Sequence, residues 1–333
     1  MNSKIVKKSN NYRGPIFLIG MPRSGTKLLR GLLNEHSRIA IPAFETEFFP
    51  YWIMNWDEYG DLSDRAAFSK FYEQMMKVPY FIYCKNEAEL ISEETWYNNC
   101  QSFTPASVFE GLVRHDADAA YESDVVWGDK SPSYITSLEM IKEHFPNARF
   151  VHIIRDVRDY CLSINHAWKK NMIRAAQRWN DYVENARTIS SQFNDEYMEL
   201  KYEDLLDSPE TELKRIVEFL DLEFEESMLT LSRPTENIGA TTGQQSVVKS
   251  NKKKYDKLMQ EALRLKIESI TGNTLESLSY EVANPIKPYK VPPYLMFYYK
   301  MLDGFNMAFT TMKRIGIKKA FKYVYGAFLI TRN

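Results

Sequence analysis

The stretch that most limits how this chain can fold is Pro15-Ile16-Phe17-Leu18-Ile19-Gly20, a continuous apolar run. It is followed at once by Met21-Pro22-Arg23-Ser24-Gly25-Thr26-Lys27. So short a run, closed by glycine, reads as a strand buried on both faces, as in a parallel sheet. Leu28, Leu29, Leu32 and Leu33 then recur at helical spacing. A glycine-containing turn between buried strand and helix lets backbone N–H groups point at an anion, and the helix N-terminus adds partial positive charge. Arg23 contributes a fixed cation, and Ser24, Thr26 and Lys27 contribute donors, which a turn that merely ends a strand would not need. The loop is therefore expected to hold phosphate or sulfate. It is not a Walker A loop, which would read G-x-x-x-x-G-K-[ST]. Gly20 and Gly25 keep that spacing, but Thr26 precedes Lys27, so the lysine and the magnesium-binding hydroxyl change places.

A second strand–loop–helix unit follows. Residues 149 to 154, R-F-V-H-I-I, form the strand, and Asp156 is placed to cap a helix carrying Val157, Tyr160, Cys161, Ile164 and Trp168. Arg155 at the strand end offers bidentate recognition of a phosphate, and Ser163, two helical turns on, can complete the shell. Taken alone, the segment also reads as a salt-bridged helix start, with Arg155 paired to Asp156 or Asp159. Two such units in one sheet suggest a ligand with two separated anionic groups. A third strand is expected over Tyr197 to Lys201, ending in the loop Tyr202-Glu203-Asp204. The next helix has Ser208 as N-cap, Pro209 at its first position and Leu213, Ile216, Val217 and Leu220 on one face. Strands alternating with helices predict an α/β fold with a P-loop-like, three-layer plan: a central parallel sheet flanked by helices, plus a C-terminal helical extension. Residues 44 to 125 are rich in aromatics and acids with weak periodicity, and are expected as helices and loops over the sheet.

P-R-S-G-T followed by K-L-L-R resembles the 5′-phosphosulfate loop of sulfotransferases that use 3′-phosphoadenosine 5′-phosphosulfate (PAPS). R-D-V-R-D-x-x-x-S resembles their 3′-phosphate site. W-G-D-K-S-P at Trp127 to Pro132, K-Y-E-D-L-L at Lys201 to Leu206 and R-I-V-E-F-L-D-L extend the likeness over roughly residues 14 to 282. The nearest branch is the bacterial type, whose first loop is similar to that of tyrosylprotein sulfotransferases. The resemblance implies that Arg23, Ser24, Gly25, Thr26 and Lys27 hold the 5′-phosphosulfate, Arg155 and Ser163 the 3′-phosphate, and that Tyr202 lies near the nucleotide. Lys27 departs from the family, which usually has Thr or Ser there. The family's late nucleotide-binding segment is poorly marked; Lys249 to Tyr255, K-S-N-K-K-K-Y, is the candidate, although it also reads as a solvated basic helix start.

Sulfuryl transfer needs an in-line acceptor, a base for its proton, and cations on the sulfonate and leaving phosphate. The family places a carboxylate base in a segment like I-P-x-E-T-x-F; here Ile41 to Phe49 carries one extra residue. Glu45 is the expected base, in the kind of apolar, aromatic setting that suits a carboxylate for that work. Glu47 competes because the insertion blurs the register. His115, read as the one histidine outside the helix–strand framework, is the substitute. Lys130 is the expected cation at the transferring group, beside Arg23. No metal is expected, since Arg23, Lys27, Lys130 and Arg155 supply the positive charge. The nucleotide would leave as adenosine 3′,5′-bisphosphate. Two alternatives stay open: a P-loop nucleotide-dependent kinase, and a non-catalytic nucleotide-binding protein.

Composition narrows the partners. The net charge of −1 over 333 residues gives no field for nucleic acid. Cys84, Cys100 and Cys161 fit neither a disulfide framework nor a zinc site, and with no signal-peptide h-region they suggest the cytoplasm. The acceptor is expected to be a small molecule, natural product or glycan bearing a hydroxyl or amine. The divisions expected are a flexible N-terminus (1–13), the sulfotransferase domain (14–282) and a basic, aromatic extension (283–333). That extension carries nine Lys/Arg against one acid, Asp303, and no run long enough to span a bilayer. It reads as a helix packed on the acidic remainder, a membrane-surface helix, or a lid or dimer contact; the oligomeric state is open.

Overall fold

The computed structural model describes residues 12–87, 89–234, 242–283 and 287–316. Five strands, β1 (Ile16–Gly20), β2 (Ile39–Ala40), β3 (Val126–Lys130), β4 (Arg149–Ile154) and β5 (Tyr197–Lys201), form one parallel sheet ordered β2-β3-β1-β4-β5. The three strands expected from the sequence are present, β1 in the centre with every residue buried. Its side chains alternate between faces, as a pleated strand requires.

One face carries α1 (Thr26–Leu33). Leu29, Leu32 and Leu33 pack with Ile16 and Leu18 and, from later in the chain, with Leu213, Ile216 and Val217. The other face is covered by the long β2–β3 connection, which forms α2 (Phe49–Met54), α3 (Arg65–Met75), α4 (Pro79–Glu87), α5 (Glu93–Asn99) and α6 (Pro105–Asp116). Asp64, Ser92 and Thr104 cap α3, α5 and α6 by accepting hydrogen bonds from backbone N–H groups three residues on. The aromatic content of this connection is its core: Phe48, Phe49, Trp52, Trp96 and Phe109 pack against Phe17 and Phe150. Aromatic crowding of this kind gives little periodicity in sequence.

Beyond β3 come α7 (Leu138–His144), then α8 (Val157–Trp168) and α9 (Met172–Ser190) after β4. Asp156 caps α8 as expected, accepting from the Arg158 N–H at 2.9 Å. After β5 the chain forms α10 (Tyr202–Asp207), α11 (Pro209–Phe219), α12 (Tyr255–Leu258), α13 (Glu261–Ser277) and α14 (Pro293–Ile315). Tyr202-Glu203-Asp204 is thus a helical turn and not a loop. Glu203 fixes it by accepting from the Asp156 N–H at 3.1 Å and the Tyr280 hydroxyl at 2.7 Å. Ser208 sits at the N-cap of α11, but its side chain makes no capping bond. Of the expected flexible N-terminus, residues 1–11 lie outside the described residues, while the Tyr12 hydroxyl donates to Pro15 O at 2.6 Å.

Buried charge ties the late helices to the sheet. The Arg158 guanidinium donates to Asp156 and to Glu268 of α13, both at 2.6 Å, and all three residues are almost fully buried. Arg158→Met leaves the buried Asp156 carboxylate without its cation and Glu268 with Arg264 alone, 3.2 Å away, and is expected to cost about 3 to 5 kcal/mol in urea unfolding. A cost below about 1 kcal/mol would contradict that role.

Candidate functional site

Ligands of open parallel sheets sit outside the carboxyl ends of the strands, where neighbouring connections diverge. Four of those ends carry the expected residues. After β1, a tight turn (Ser24 N–H to Met21 O, 3.1 Å) leads into α1. Arg23 takes a left-handed backbone (φ 74°), and Gly25 precedes the helix at φ 98°. A methyl group on Gly25 would lie 2.3 Å from a Tyr202 ring carbon, so glycine is required where the loop meets the end of β5. The Ser24 hydroxyl is buried and makes no hydrogen bond among the described residues.

Arg155 follows β4 and is almost fully buried. Its Nη1 donates to Arg23 O at 3.2 Å and its Nη2 to Asn251 O at 3.1 Å, while the guanidinium lies 4.7 Å above the centre of the Tyr202 ring. Its Nε is buried with no partner among the described residues. Arg155 Nη2 stands 3.8 Å from Asp159, a loose pairing beside those carbonyl contacts. The Trp179 indole N–H holds the Arg155 carbonyl from α9 at 3.1 Å. Arg23 Nε donates to the Ser163 hydroxyl at 3.4 Å, bringing the two expected anion sites into contact. A cavity of about 400 Å³ opens here, lined by Arg23, Arg155, Ser163, Asn251 and Lys254 among others. Gly25, Tyr202 and Asn251 line a smaller adjoining space of about 40 Å³.

A second cluster forms where β3 ends. Lys130 is fully buried, and its Nζ donates to Glu45. Burial pushes the Lys130 ammonium down, the Glu45 charge opposes this, and the nearby charges of Arg30 and Lys27 add to the depression. The Glu45 segment is held by α1: Arg30 donates to the Pro42 and Ala43 carbonyls, and the Asn34 side chain bonds both N–H and O of Ile41. It is also tied to the turn after β3, where the Thr46 hydroxyl meets Ser131 at 3.2 Å and Tyr134 at 2.6 Å. Glu47 takes a left-handed backbone (φ 54°). Burial, then the Glu45 charge, raises its carboxyl to about 7, although the residue keeps an exposed face and water moderates the rise. Asp129 is wholly buried, and burial lifts its carboxyl to about 7 against the pull of Ser131 and Thr46.

His115 does not stand outside the framework. It ends α6, bonded through Nδ1 to Asp116 at 2.8 Å. That bond, chiefly, raises its pKa. It lines a separate cavity of about 210 Å³ with Phe44, Tyr80 and Ile91. The reading stemmed from R-H-D-A-D, whose polar pattern hides a helix end. In the Lys249–Tyr255 candidate, the residues turned inward are Asn251, whose side chain donates to the Tyr202 hydroxyl at 2.7 Å, and Tyr255, whose N–H donates to Asp159 at 3.0 Å. Arg30, Asp129 and Asn251 stand within K-L-L-R, W-G-D-K-S-P and K-S-N-K-K-K-Y, where residue type alone does not mark them as site residues. A further cavity of about 380 Å³ between α9 and α13 is lined by Asp181, Glu184, Glu268 and Glu276, the wrong charge for an anion.

Comparison with known proteins identifies the family and the fold. Residues 15–226 match the sulfotransferase family, and the chain belongs to it. It is 24% identical over 224 residues to protein-tyrosine sulfotransferase 1 of Danio rerio, covering 64% of this chain and 55% of that protein. It is 27% identical over 222 residues to protein-tyrosine sulfotransferase A of Caenorhabditis elegans, covering 64% and 51% respectively. The chain thus spans about half the length of these relatives. In fold it is similar to the sulfotransferase domain from the curacin biosynthetic pathway (TM-score 0.55, 19% identity, 81% of this chain and 99% of that one). It is equally similar to the sulfotransferase domain of the Synechococcus PCC 7002 olefin synthase (TM-score 0.55, 20% identity, 83% and 98%).

Two outcomes follow from this geometry. Gly25→Ala is expected to cost about 1 to 3 kcal/mol from backbone strain and ring collision. In a Tyr202→Ala background the loss should shrink; equal losses in both backgrounds would show that the ring is not what excludes the methyl. Asp129, for its part, keeps its proton in the fold between its ordinary 3.8 and about 7, where the unfolded chain has lost it, so stability falls as pH rises through that window. Asp129→Asn removes this dependence, so the denaturation midpoint of the variant minus that of wild type should climb across the window. A flat difference would contradict it.

Proposed function

We propose that this sulfotransferase uses PAPS as donor and delivers the sulfuryl group to a hydroxyl, or an amine, of a small molecule, natural product or glycan. The observation that carries the donor reading is Arg155. It is buried and oriented by two carbonyls, and its Nε has no partner, beside a glycine loop whose Ser24 hydroxyl is also unpartnered among the described residues. Buried polar groups without partners are rare in folded proteins and suit a ligand that supplies acceptors. In this reading Arg155 and Ser163 bind the 3′-phosphate, and Tyr202 lies along the nucleotide. The loop from Arg23 through Lys27 receives the 5′-phosphosulfate. The donor supplies a sulfuryl group whose S–O bond to phosphate breaks as the acceptor oxygen or nitrogen bonds to sulfur, the electron pair staying on the phosphate oxygen.

The chain's own residues do the rest. Glu45 takes the acceptor's proton, and Lys130, already beside it, places positive charge where negative charge grows. Both are held in advance, Lys130 by the sheet and Glu45 by α1 and the turn after β3, so little reorganisation accompanies the reaction. Glu47 is the neighbouring carboxyl that could serve if Glu45 stays paired. The Phe44-lined cavity offers an apolar wall for an acceptor. Cys84 and Cys161 are buried and Cys100 is half-buried, an arrangement that suits a reducing compartment such as the cytoplasm. Among the described residues no helix is long and apolar enough to cross a membrane.

Calorimetric titration with adenosine 3′,5′-bisphosphate in magnesium-free buffer tests the donor. Wild type should bind. Ser163→Ala should bind several-fold more weakly, and Arg155→Ala about 10- to 100-fold more weakly, as expected for a charge-assisted contact. No binding to wild type would remove the donor assignment, and magnesium-dependent ATP turnover would favour the kinase reading in its place.

A further inference from the structure

The largest departure from an ordinary protein surface lies on α14. Of eleven large apolar side chains left exposed among the described residues, eight belong to this helix. Tyr294, Phe297, Tyr298, Met301, Phe305 and Phe309 recur at offsets of 0, 3, 4, 7, 11 and 15, which places them on one helix face. Phe297 and Phe305 are 66% and 69% exposed. A contiguous exposed aromatic stripe of this length marks a binding surface.

The opposite face fixes how the helix sits. Asp303 is buried, accepting from the Asn171 N–H at 2.7 Å and from Arg174 at 2.8 Å, where α8 passes into α9. Leu295, Met296 and Tyr299 pack on the α8–α9 core, and the Asn306 side chain donates to Lys169 O at 3.0 Å. The stripe is therefore held outward by a docked inner face, and does not belong to a helix free to roll over. The family match ends at residue 226, well before this helix.

Charge selects the occupant. From residue 283 onward the chain has nine Lys/Arg and a single acid, Asp303, and that acid is consumed inward. Lys287, Lys290, Lys300 and Lys313 are exposed along the same segment. Residues 317–333 add Lys318, Lys319, Lys322 and Arg332 and no acid. Two copies pairing through this face would bring like charges together, whereas a negatively charged surface is complementary. Aromatic side chains flanked by lysines are the composition of helices that lie in the headgroup region of a bilayer. Lys300 and Asp303 break the apolar run within the helix, which is not long and apolar enough to cross a membrane.

We propose that α14 lies in the plane of an anionic lipid surface, its aromatic stripe inserted and its lysines on the headgroups, and so attaches the folded chain to a membrane. Flotation of the full chain with vesicles tests this, using phosphatidylcholine alone and phosphatidylcholine mixed with phosphatidylglycerol. Wild type should float with the mixed vesicles and much less with the neutral ones, and added salt should release it. Phe297→Ser/Phe305→Ser/Phe309→Ser, which alters only outward side chains, should weaken partitioning by at least about tenfold. Lys300→Gln should weaken it about fivefold. Circular dichroism and thermal melting unchanged from wild type certify that each variant is folded. Failure of wild type to float with anionic vesicles overturns the proposal, as does flotation of the folded triple variant equal to wild type. A wild-type dimer in sedimentation velocity that the triple variant breaks, together with no flotation, would overturn it in favour of a second copy as occupant.

Discussion

The Arg155 guanidinium is the joint on which the site depends. It leaves the end of β4 buried, and its two terminal nitrogens reach the carbonyls of Arg23 and Asn251, 132 and 96 residues away in sequence. Its face rests on Tyr202, the first residue after β5. Three connections that share no local sequence are thereby held together by one planar cation, whose fixed fork of donors suits it to that work better than a lysine would be. Only Nε is left over. Tyr202 in turn presses against Gly25 and receives the Asn251 amide, so the loop, the end of β5 and the late segment form one closed contact.

The second constraint is electrostatic. Lys130 is fully buried at the end of β3, a position no ammonium occupies without a partner, and Glu45 is that partner. The pair is assembled from opposite sides: the sheet supplies the lysine, and α1, through Arg30 and Asn34, supports the segment that supplies the carboxylate. Asp129, one residue earlier, is wholly buried, and burial raises its carboxyl against the pull of the Ser131 and Thr46 hydroxyls and of the Lys130 charge.

The strands legible in sequence were β1, an unbroken apolar run, β4, whose apolar run is interrupted only by His152, and β5, where Met198 and Leu200 flank Glu199. β1, β4 and β5 came out almost to the residue. β3 reads V-W-G-D-K: its interior charges, buried by pairing and hydroxyl contacts, erase the pattern by which a buried strand is recognised. β2 is two residues long and has no pattern to read. Arg23, Gly25, Arg155 and Tyr202 converge because each stands within a few residues of a strand end, and Ser163 reaches Arg23 from two turns into α8. Asn251 could not be picked out of K-S-N-K-K-K-Y, since it enters the site through a backbone carbonyl, which every residue possesses, and through a side-chain amide whose partner, Tyr202, lies 49 residues away. Helix α14 was legible as an aromatic, basic segment, but which side of it would be covered depended on Asp303 finding Arg174, a contact across more than a hundred residues.

The seat of each charged group at a strand terminus has a consequence for how such a chain can change. Lys130, Arg155 and Tyr202 take their positions from the hydrogen-bonded ladder of the sheet, not from the loops that follow them. The helices from α2 to α6 hang between β2 and β3 as one insertion whose aromatic core is shared with Phe17 and Phe150 of the sheet. Its outer turns can be lengthened or shortened without shifting the ladder, provided the rings against Phe17 and Phe150 are kept and Ile41 to Thr46 keep their hold on α1 and on the turn after β3. The strand-end half and the aromatic half are in this sense separately inheritable. One can vary while the other stands still.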